Sequence, residues 1–312
     1  MPVGLWIGGD RVDLLSLRCF QVVARLEHIS RAADELRVAQ PSVSRTIARL
    51  EAEVGVPLFD RRGRRIHLNR HGAAFLRRVD RALAELADGR RELADAARGE
   101  EVTGTVTVAS ETLLTLTGLL AGFRAARPGV EVRLRQASAG AMVRHLRARE
   151  TDLCFASQPL PGPDLHAVPL LSEDVLLAVP PGHRLAGRRQ VEVTELAGEP
   201  FVTPRPGHWQ RTLSDRLFAE AGAEPVIVCE GDEPGAVLGL VAAGLGIAMV
   251  PELARITGTR ETVGWARLAT PAARRDLRLV HHRDTYRSTA ARALAQYAVD
   301  HFRGAGQQAS AR

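Results

Sequence analysis

The chain has 312 residues and 45% hydrophobic content, enough for two or three compact units with cores of their own. Its formal charge of +6 rests on arginine alone, because the sequence contains no lysine; a pyridoxal Schiff base, a phosphate-loop lysine and an ammonium nucleophile are thereby excluded. Apolar runs break off well short of the roughly 18 residues a membrane span needs, and residues 1–10 lack the basic start and apolar run of an export signal, so the expected location is the cytoplasm, with no membrane partner.

Most of the positive excess falls in the first 98 residues. Between residues 61 and 79 stand Arg61, Arg62, Arg64, Arg65, Arg70, Arg77 and Arg78 without one acid. Such a face displaces counterions from a phosphate backbone, the plain alternative being a solvated charge run. Cys19, Cys154 and Cys229 occur singly in apolar stretches and read as packed free thiols; a Cys154–Cys229 redox pair is the sharper alternative, unsupported by spacing.

In chain order, residues 1–12 form a tail. Leu17, Phe20, Val23 and Ala24 predict a first amphipathic helix from Asp13 to about Leu26. Ser30 is placed to cap a short second helix whose Ala32, Ala33 and Leu36 permit close packing. A turn over residues 38–40 leads to a third helix with Pro41 in its first position, where a missing N–H costs nothing. Val43, Ile47 and Leu50 then face inward, and Ser42, Arg45, Thr46 and Arg49 outward. That outward face is short, polar and basic, suited to base edges and phosphates in a major groove, although an ordinary solvated face has the same composition. Beyond Gly55 and Pro57 the chain reads as a hairpin turning at Arg62-Gly63-Arg64, with Ile66 and Leu68 packed and Arg65 and His67 outward: a wing.

Proline-free residues 70–98 predict one long helix, on which Leu76, Val79, Leu83, Leu86 and Leu93 form a heptad-like stripe for dimerisation; packing on the helix's own domain is the alternative. A boundary is expected near residue 99. Strands at 105–109, 130–135, 153–156, 174–179, 201–203, 226–230 and 277–281 alternate with helices, the last at 290–302, which argues for parallel sheets covered on both faces. Two lobes, about 102–172 with 277–303 and about 173–276, would enclose a cleft, followed by a flexible tail at 304–312. The fold class is therefore α/β: an N-terminal all-α winged helix-turn-helix domain (13–69), a linker helix (70–98) and a two-lobed α/β domain (99–303).

Three runs carry a family resemblance: Ser30-Arg-Ala-Ala-Asp-Glu-Leu, Ala39-Gln-Pro-Ser-Val-Ser-Arg45, and Leu50-Glu-Ala-Glu-Val-Gly-Val-Pro-Leu-Phe59 followed by Arg61. In order and register they resemble the DNA-binding domain of LysR-type transcriptional regulators. Where that family enters its next helix with Thr-x-x-Gly, this chain has Asn69-Arg-His-Gly72, and Asn caps about as well. Four later stretches are similar to the family's effector-binding domain, itself like periplasmic solute-binding proteins: Ala126-Arg-Pro-Gly-Val-Glu-Val, Pro180-Pro-Gly-His-Arg-Leu-Ala186, Leu196-Ala-Gly-Glu-Pro-Phe201 and Ala242-Ala-Gly-Leu-Gly-Ile-Ala-Met-Val-Pro251. The segment between Ala109 and Phe123 is shorter than the family's usual.

The resemblance implies a homodimer or a dimer of dimers on double-stranded DNA, controlled by a small-molecule effector, with RNA polymerase as a further candidate partner. The candidate DNA-contacting residues are Ser30 and Arg31; Gln40, Pro41, Ser42, Ser44, Arg45, Thr46 and Arg49; and the wing arginines Arg61, Arg62, Arg64 and Arg65. Ligands in open α/β sheets sit beyond strand ends and at helix starts, which selects Ser110, Thr112, Gln136, Ser138, Thr203, Gly207, His208 and Glu230, although a cap or turn role suits any one of them equally. Arg205, His208 and Arg211 lead to the expectation of an anionic effector such as a small carboxylate. No cofactor is expected: Ala243-Gly-Leu-Gly-Ile is not a dinucleotide fingerprint, and neither a Gly-x-Ser-x-Gly elbow nor a His-Glu-x-x-His metal motif occurs. A solute-binding protein or a cytosolic α/β enzyme are the alternatives; the first conflicts with the N-terminal module, the second with the lack of a convergent acid, base or nucleophile set.

Overall fold

The computed structural model describes residues 12–62, 65–99, 101–232, 234–257 and 262–310. The chain divides into two compact units, Met1–Leu93 and Ala94–Arg312.

Three helices open the first unit: α1 (Leu14–Leu26), α2 (Ile29–Leu36) and α3 (Gln40–Val54). The Asp13 carboxylate caps α1 by accepting the Ser16 N–H at 2.6 Å. His28, in extended conformation, caps α2 instead of Ser30: its Nδ1 accepts the Arg31 N–H at 3.4 Å, and Ser30 lies inside the first turn. Both helix ends turn on left-handed residues that are not glycine, Glu27 (φ 47°) and Arg37 (φ 55°). Gln40 precedes Pro41 in α3, one residue earlier than expected. Val43, Ile47 and Leu50 are buried against Phe20, Val23, Ala32 and Ala33, so the sequence periodicity holds.

Strands β1 (Phe59–Arg62) and β2 (Arg65–Leu68) pair antiparallel, with Arg62 opposite Arg65. Two helix carboxylates fix this hairpin. Glu51 Oε1 accepts the Leu58 and Phe59 N–H groups at 2.7 and 3.1 Å, while Glu27 accepts the Leu68 N–H at 2.9 Å and lies 3.0 Å from His67 Nδ1. These bonds hold the Glu27 carboxyl below its usual range, the Leu68 N–H contributing most.

Helix α4 (Arg70–Arg98) starts on Asn69, whose Oδ1 accepts the His71 and Gly72 N–H groups, both at 2.9 Å. Its nitrogen Nδ2 donates to Pro57 O at 2.9 Å. A Cβ on Gly72 would lie 2.1 Å from Leu58 O and 2.7 Å from Leu68 Cδ1, so only glycine lets this helix approach the base of the hairpin. The apolar stripe divides. Val79 is buried, Leu76 and Leu83 are partly buried in the unit's own core, and only Leu86 and Leu93 stand exposed at 50% and 72%. The first half of the stripe therefore packs, wholly at Val79 and partly at Leu76 and Leu83, in the chain's own core.

The second compact unit begins at Ala94, inside the last turns of α4, where Asp95 Oδ2 accepts the Tyr286 hydroxyl and the Thr289 N–H at 3.0 and 2.7 Å. Next come β3 (Gly104–Ser110), α5 (Thr117–Ala126), β4 (Val130–Gln136), α6 (Ala139–Arg147), β5 (Leu153–Ala156) and β6 (Leu165–Val179). The chain continues through β7 (Pro200–Thr203), α7 (Trp209–Glu220), β8 (Val226–Glu230), α8 (Pro234–Ala242), β9 (Ala248–Pro251), α9 (Glu252–Thr257), β10 (Gly264–Arg267), β11 (Arg274–His282) and α10 (Thr289–Ser310).

The sheets are mixed rather than parallel. β3 pairs parallel with β4 and β5, β7 with β8, whereas β11 runs antiparallel to β5 and β6, and β6 antiparallel to β9 and β10. The departure comes from β6, a single strand of 15 residues where a strand of six was expected at 174–179. Through Asp174 it pairs with β11 in the first lobe, and from Val175 it pairs with β9 and β10 in the second, so one extended strand makes the crossing. Separate apolar cores lie to either side, around Phe123 and Phe155 and around Phe201 and Phe218. The last helix continues to Ser310 through residues read as a flexible tail. Among the described residues, no helix is long and apolar enough to cross a membrane.

We expect Gly72→Ala to destabilise the first unit by about 1–3 kcal/mol, the usual cost of overpacking against groups that cannot retreat. Urea unfolding followed by circular dichroism measures this; an unchanged transition would show that the hairpin yields to the helix.

Candidate functional site

On α3 the polar face is open. Arg45 and Arg49 are exposed, and Ser42, Ser44 and Thr46 half-exposed, over a row that is wholly buried. Ser30, Arg31, Gln40 and Pro41 are exposed at the heads of α2 and α3. Arg45 Nε donates to Pro41 O at 3.3 Å, and Arg49 lies 3.5 Å from Asp13 and 3.8 Å from Glu53. Acids that already engage Arg49 leave Arg45 the freer cation on this face. Arg64, and the side chains of Arg61, Arg62 and Arg65, lie outside the described residues. The sequence reading missed Glu27 and Glu51, which orient the wing; an acid near a strand start is a weak signal, since it forms its bonds across the fold.

In the second unit a cavity of about 680 Å³ is lined by Glu111, Gln136, Ala137, Ser138, Arg205, His208, Glu230, Gly231, Asp232 and Ala236. Its volume lies in the range of small-molecule sites. Of the expected ligand residues it gathers Gln136, Ser138, His208 and Glu230. Ser110, Thr112 and Thr203 are buried and do not line it, and Gly207 offers its carbonyl to Gln158 Nε2 at 3.2 Å. Ser110 Oγ instead donates to Phe155 O at 3.2 Å, binding β3 to β5. Strand-end reasoning selects a rim of residues, and those whose side chains turn back into the framework are lost from the site.

The basic residues behind the expectation of an anionic effector have partners of their own. Asp232 claims Arg205 through its backbone N–H at 3.0 Å and its Nε at 2.9 Å. Arg211 is held by Asp215 and by Glu230, at 2.8 and 2.7 Å. Desolvation pushes the His208 pKa down to about 4, which leaves a neutral ring at neutral pH. Two of the three basic residues are thus engaged by acids, and the third is neutral.

Behind the cavity lies a polar hub absent from the sequence reading. Arg275, 1% exposed, donates to Ser157 Oγ at 2.8 Å, Thr115 Oγ1 at 2.9 Å and Glu173 Oε1 at 3.2 Å, with its guanidinium carbon 5.0 Å from the Trp209 ring centroid. Glu173 also accepts the Leu253 N–H at 2.6 Å. Glu111 accepts from Gln158 Nε2 at 2.6 Å and Ser157 N at 3.4 Å, and desolvation raises its pKa above the usual glutamate value.

An open basic helix face over a buried apolar row, together with a two-lobed ligand cavity, defines a ligand-responsive helix-turn-helix transcription regulator. Two family models agree: the bacterial regulatory helix-turn-helix protein, lysR family, matches residues 14–73, and the LysR substrate binding domain matches residues 99–303. The chain belongs to the LysR family of transcriptional regulators. It is 34% identical to the HTH-type transcriptional regulator YybE of Bacillus subtilis, over 92% of this chain and 98% of that one. It is 32% identical to the transcriptional dual regulator GltC of the same organism, over 77% and 81%. Among solved structures, full-length CbnR complexed with its target DNA aligns with a TM-score of 0.63 at 26% identity, covering 94% of this chain and 99% of that one. A full-length OxyR variant from Pseudomonas aeruginosa shares the fold, with a TM-score of 0.72 at 22% identity over 93% and 95%.

Removing one partner of the buried pair, as in Arg275→Met, should cost about 3–5 kcal/mol, because Glu173 would remain buried and unpaired; Arg275→Met with Glu173→Leu should recover most of that loss. Chemical denaturation of the single and double variants checks this. His208 supplies a pH test. Its folded pKa lies below the unfolded 6.5, so its contribution is full above 6.5 and is lost as pH falls toward about 4. His208→Gln should flatten the decline of Tm over that window, and an unchanged slope would contradict the burial argument.

Proposed function

We propose that α3 enters the major groove of double-stranded DNA with Ser42, Ser44, Arg45, Thr46 and Arg49 toward the base edges, while Ser30, Arg31, Gln40, Pro41 and the wing arginines Arg61, Arg62, Arg64 and Arg65 hold the flanking backbone. The observation that carries this reading is the open face of α3 above Val43, Ile47 and Leu50. The target DNA named for the CbnR structure supports it.

The working form is a cytoplasmic homo-oligomer, a dimer or a dimer of dimers. Leu86 and Leu93, apolar, exposed and seven residues apart on α4, support helix pairing between copies. Leu76, Val79 and Leu83 contribute by making that helix rigid from within their own unit. Two paired α3 helices then read two half-sites of an inverted repeat. A small molecule in the Glu111–His208 cavity favours one lobe arrangement, shifts the population of dimer pairings and so changes the DNA sites held, with RNA polymerase as the partner that reads the outcome.

Gel-shift titration on a retained genomic fragment tests the DNA reading. Arg45→Ala should weaken specific binding by about 1–3 kcal/mol with little change on random DNA, as expected for a base contact. Equal losses on both would make Arg45 a phosphate contact, and no binding by the parent chain at low salt would overturn the regulator reading.

A further inference from the structure

The cavity wall carries a carboxylate whose charge, among the described residues, nothing within ion-pair distance matches. Glu111 is 3% exposed, and its side chain accepts from neutral donors, Gln158 Nε2 and the backbone N–H groups of Ser157 and Trp209. Arg275 attracts it from farther off but is already paired with Glu173. A buried anion so placed gains when a cation enters from solvent. Elsewhere on the lining the charges are engaged: Arg205 by Asp232, and Glu230 by Arg211, which Asp215 also holds. A carboxylate ligand would compete with Asp232 for Arg205 and meet Glu111 as well.

The second observation is a donor without an acceptor. His208 Nδ1 accepts the Gln210 N–H at 3.3 Å, so a neutral ring carries its proton on Nε2. That Nε2 is buried and, among the described residues, has no hydrogen-bond partner, so it offers no open donor to an anion in the cavity. Helices α6 and α7 both begin at the cavity, yet Ser138 and His208 cap them with their own side chains, which reduces what these helix ends offer an anion.

We infer that the cavity takes a small amino compound, its protonated amine against Glu111. This rests on the reading of the cavity as the effector site, and the two can fail separately. A cysteine placed at Ala236, on the lining, reports the charge the cavity prefers. In the full chain carrying Cys229→Ser and Ala236→Cys, rates of modification by 2-aminoethyl and 2-sulfonatoethyl methanethiosulfonate are measured, each normalised to 2-mercaptoethanol.

The amine reagent should be favoured by about tenfold, the low end of field focusing in a cleft. Glu111→Gln should remove most of that preference, while Glu230→Gln, at a residue already matched by Arg211, should leave most of it. Should Glu111→Gln not fold, the parent's preference must fall as acid protonates Glu111. Equal rates, a preference for the sulfonate, or a preference insensitive to Glu111→Gln and to acid would overturn the inference. If neither label alters affinity for a retained genomic site, the effector reading fails, whatever the charge preference.

Discussion

The ion pair between Arg275 and Glu173 is the constraint on which the second unit depends. Taking both charges out of water costs several kcal/mol per ion, so the pair persists only if every polar atom finds a partner. The two residues face each other in register on β11 and β6, at the place where β6 leaves one lobe for the other. Thr115 and Ser157 supply acceptors from the first lobe; Trp209 and the Leu253 N–H complete the arrangement from the second. A hydrophobic core would hold each lobe but would not define the angle between them. Directional bonds from both sides of one guanidinium do.

The same hub reaches the cavity. Ser157 uses its hydroxyl on Arg275 and its N–H on Glu111, so a ligand that moves Glu111 acts on a residue that also engages the crossing strands. Coupling needs a contiguous element with two arrangements, and Glu111, Ser157 and Arg275 supply the contiguous part within a few hydrogen bonds. The first unit uses the same device on a smaller scale: Glu27 and Glu51 accept backbone N–H groups of the hairpin and set the wing relative to α3.

Periodicity made the helices and the inward row of α3 legible, because burial repeats locally along the chain. Its limits fall where distant residues decide the outcome. The end of the first helix was legible at Leu26 although no glycine marks it, but not the bond by which the Glu27 side chain reaches β2, 41 residues away. The run from Leu165 was missed as a strand because exposed residues interrupt it where β11 covers only one edge. In the ligand site, chain order located Gln136, Ser138, His208 and Glu230, but Ser110 and Thr203 turn inward, a choice made by packing. The pairing of Arg205 and Arg211 was not legible because the acids that engage them, Asp232 and Glu230, arrive from another strand end.

Everything functional in this account rests on the open face of α3 reading DNA sequence. The most direct measurement is to retain sheared genomic DNA on the full-length chain at moderate salt and sequence what stays bound. The account predicts a narrow set of sites that share an inverted repeat with its half-sites on one face of the duplex. Uniform retention of the genome, with no shared sequence, would contradict it.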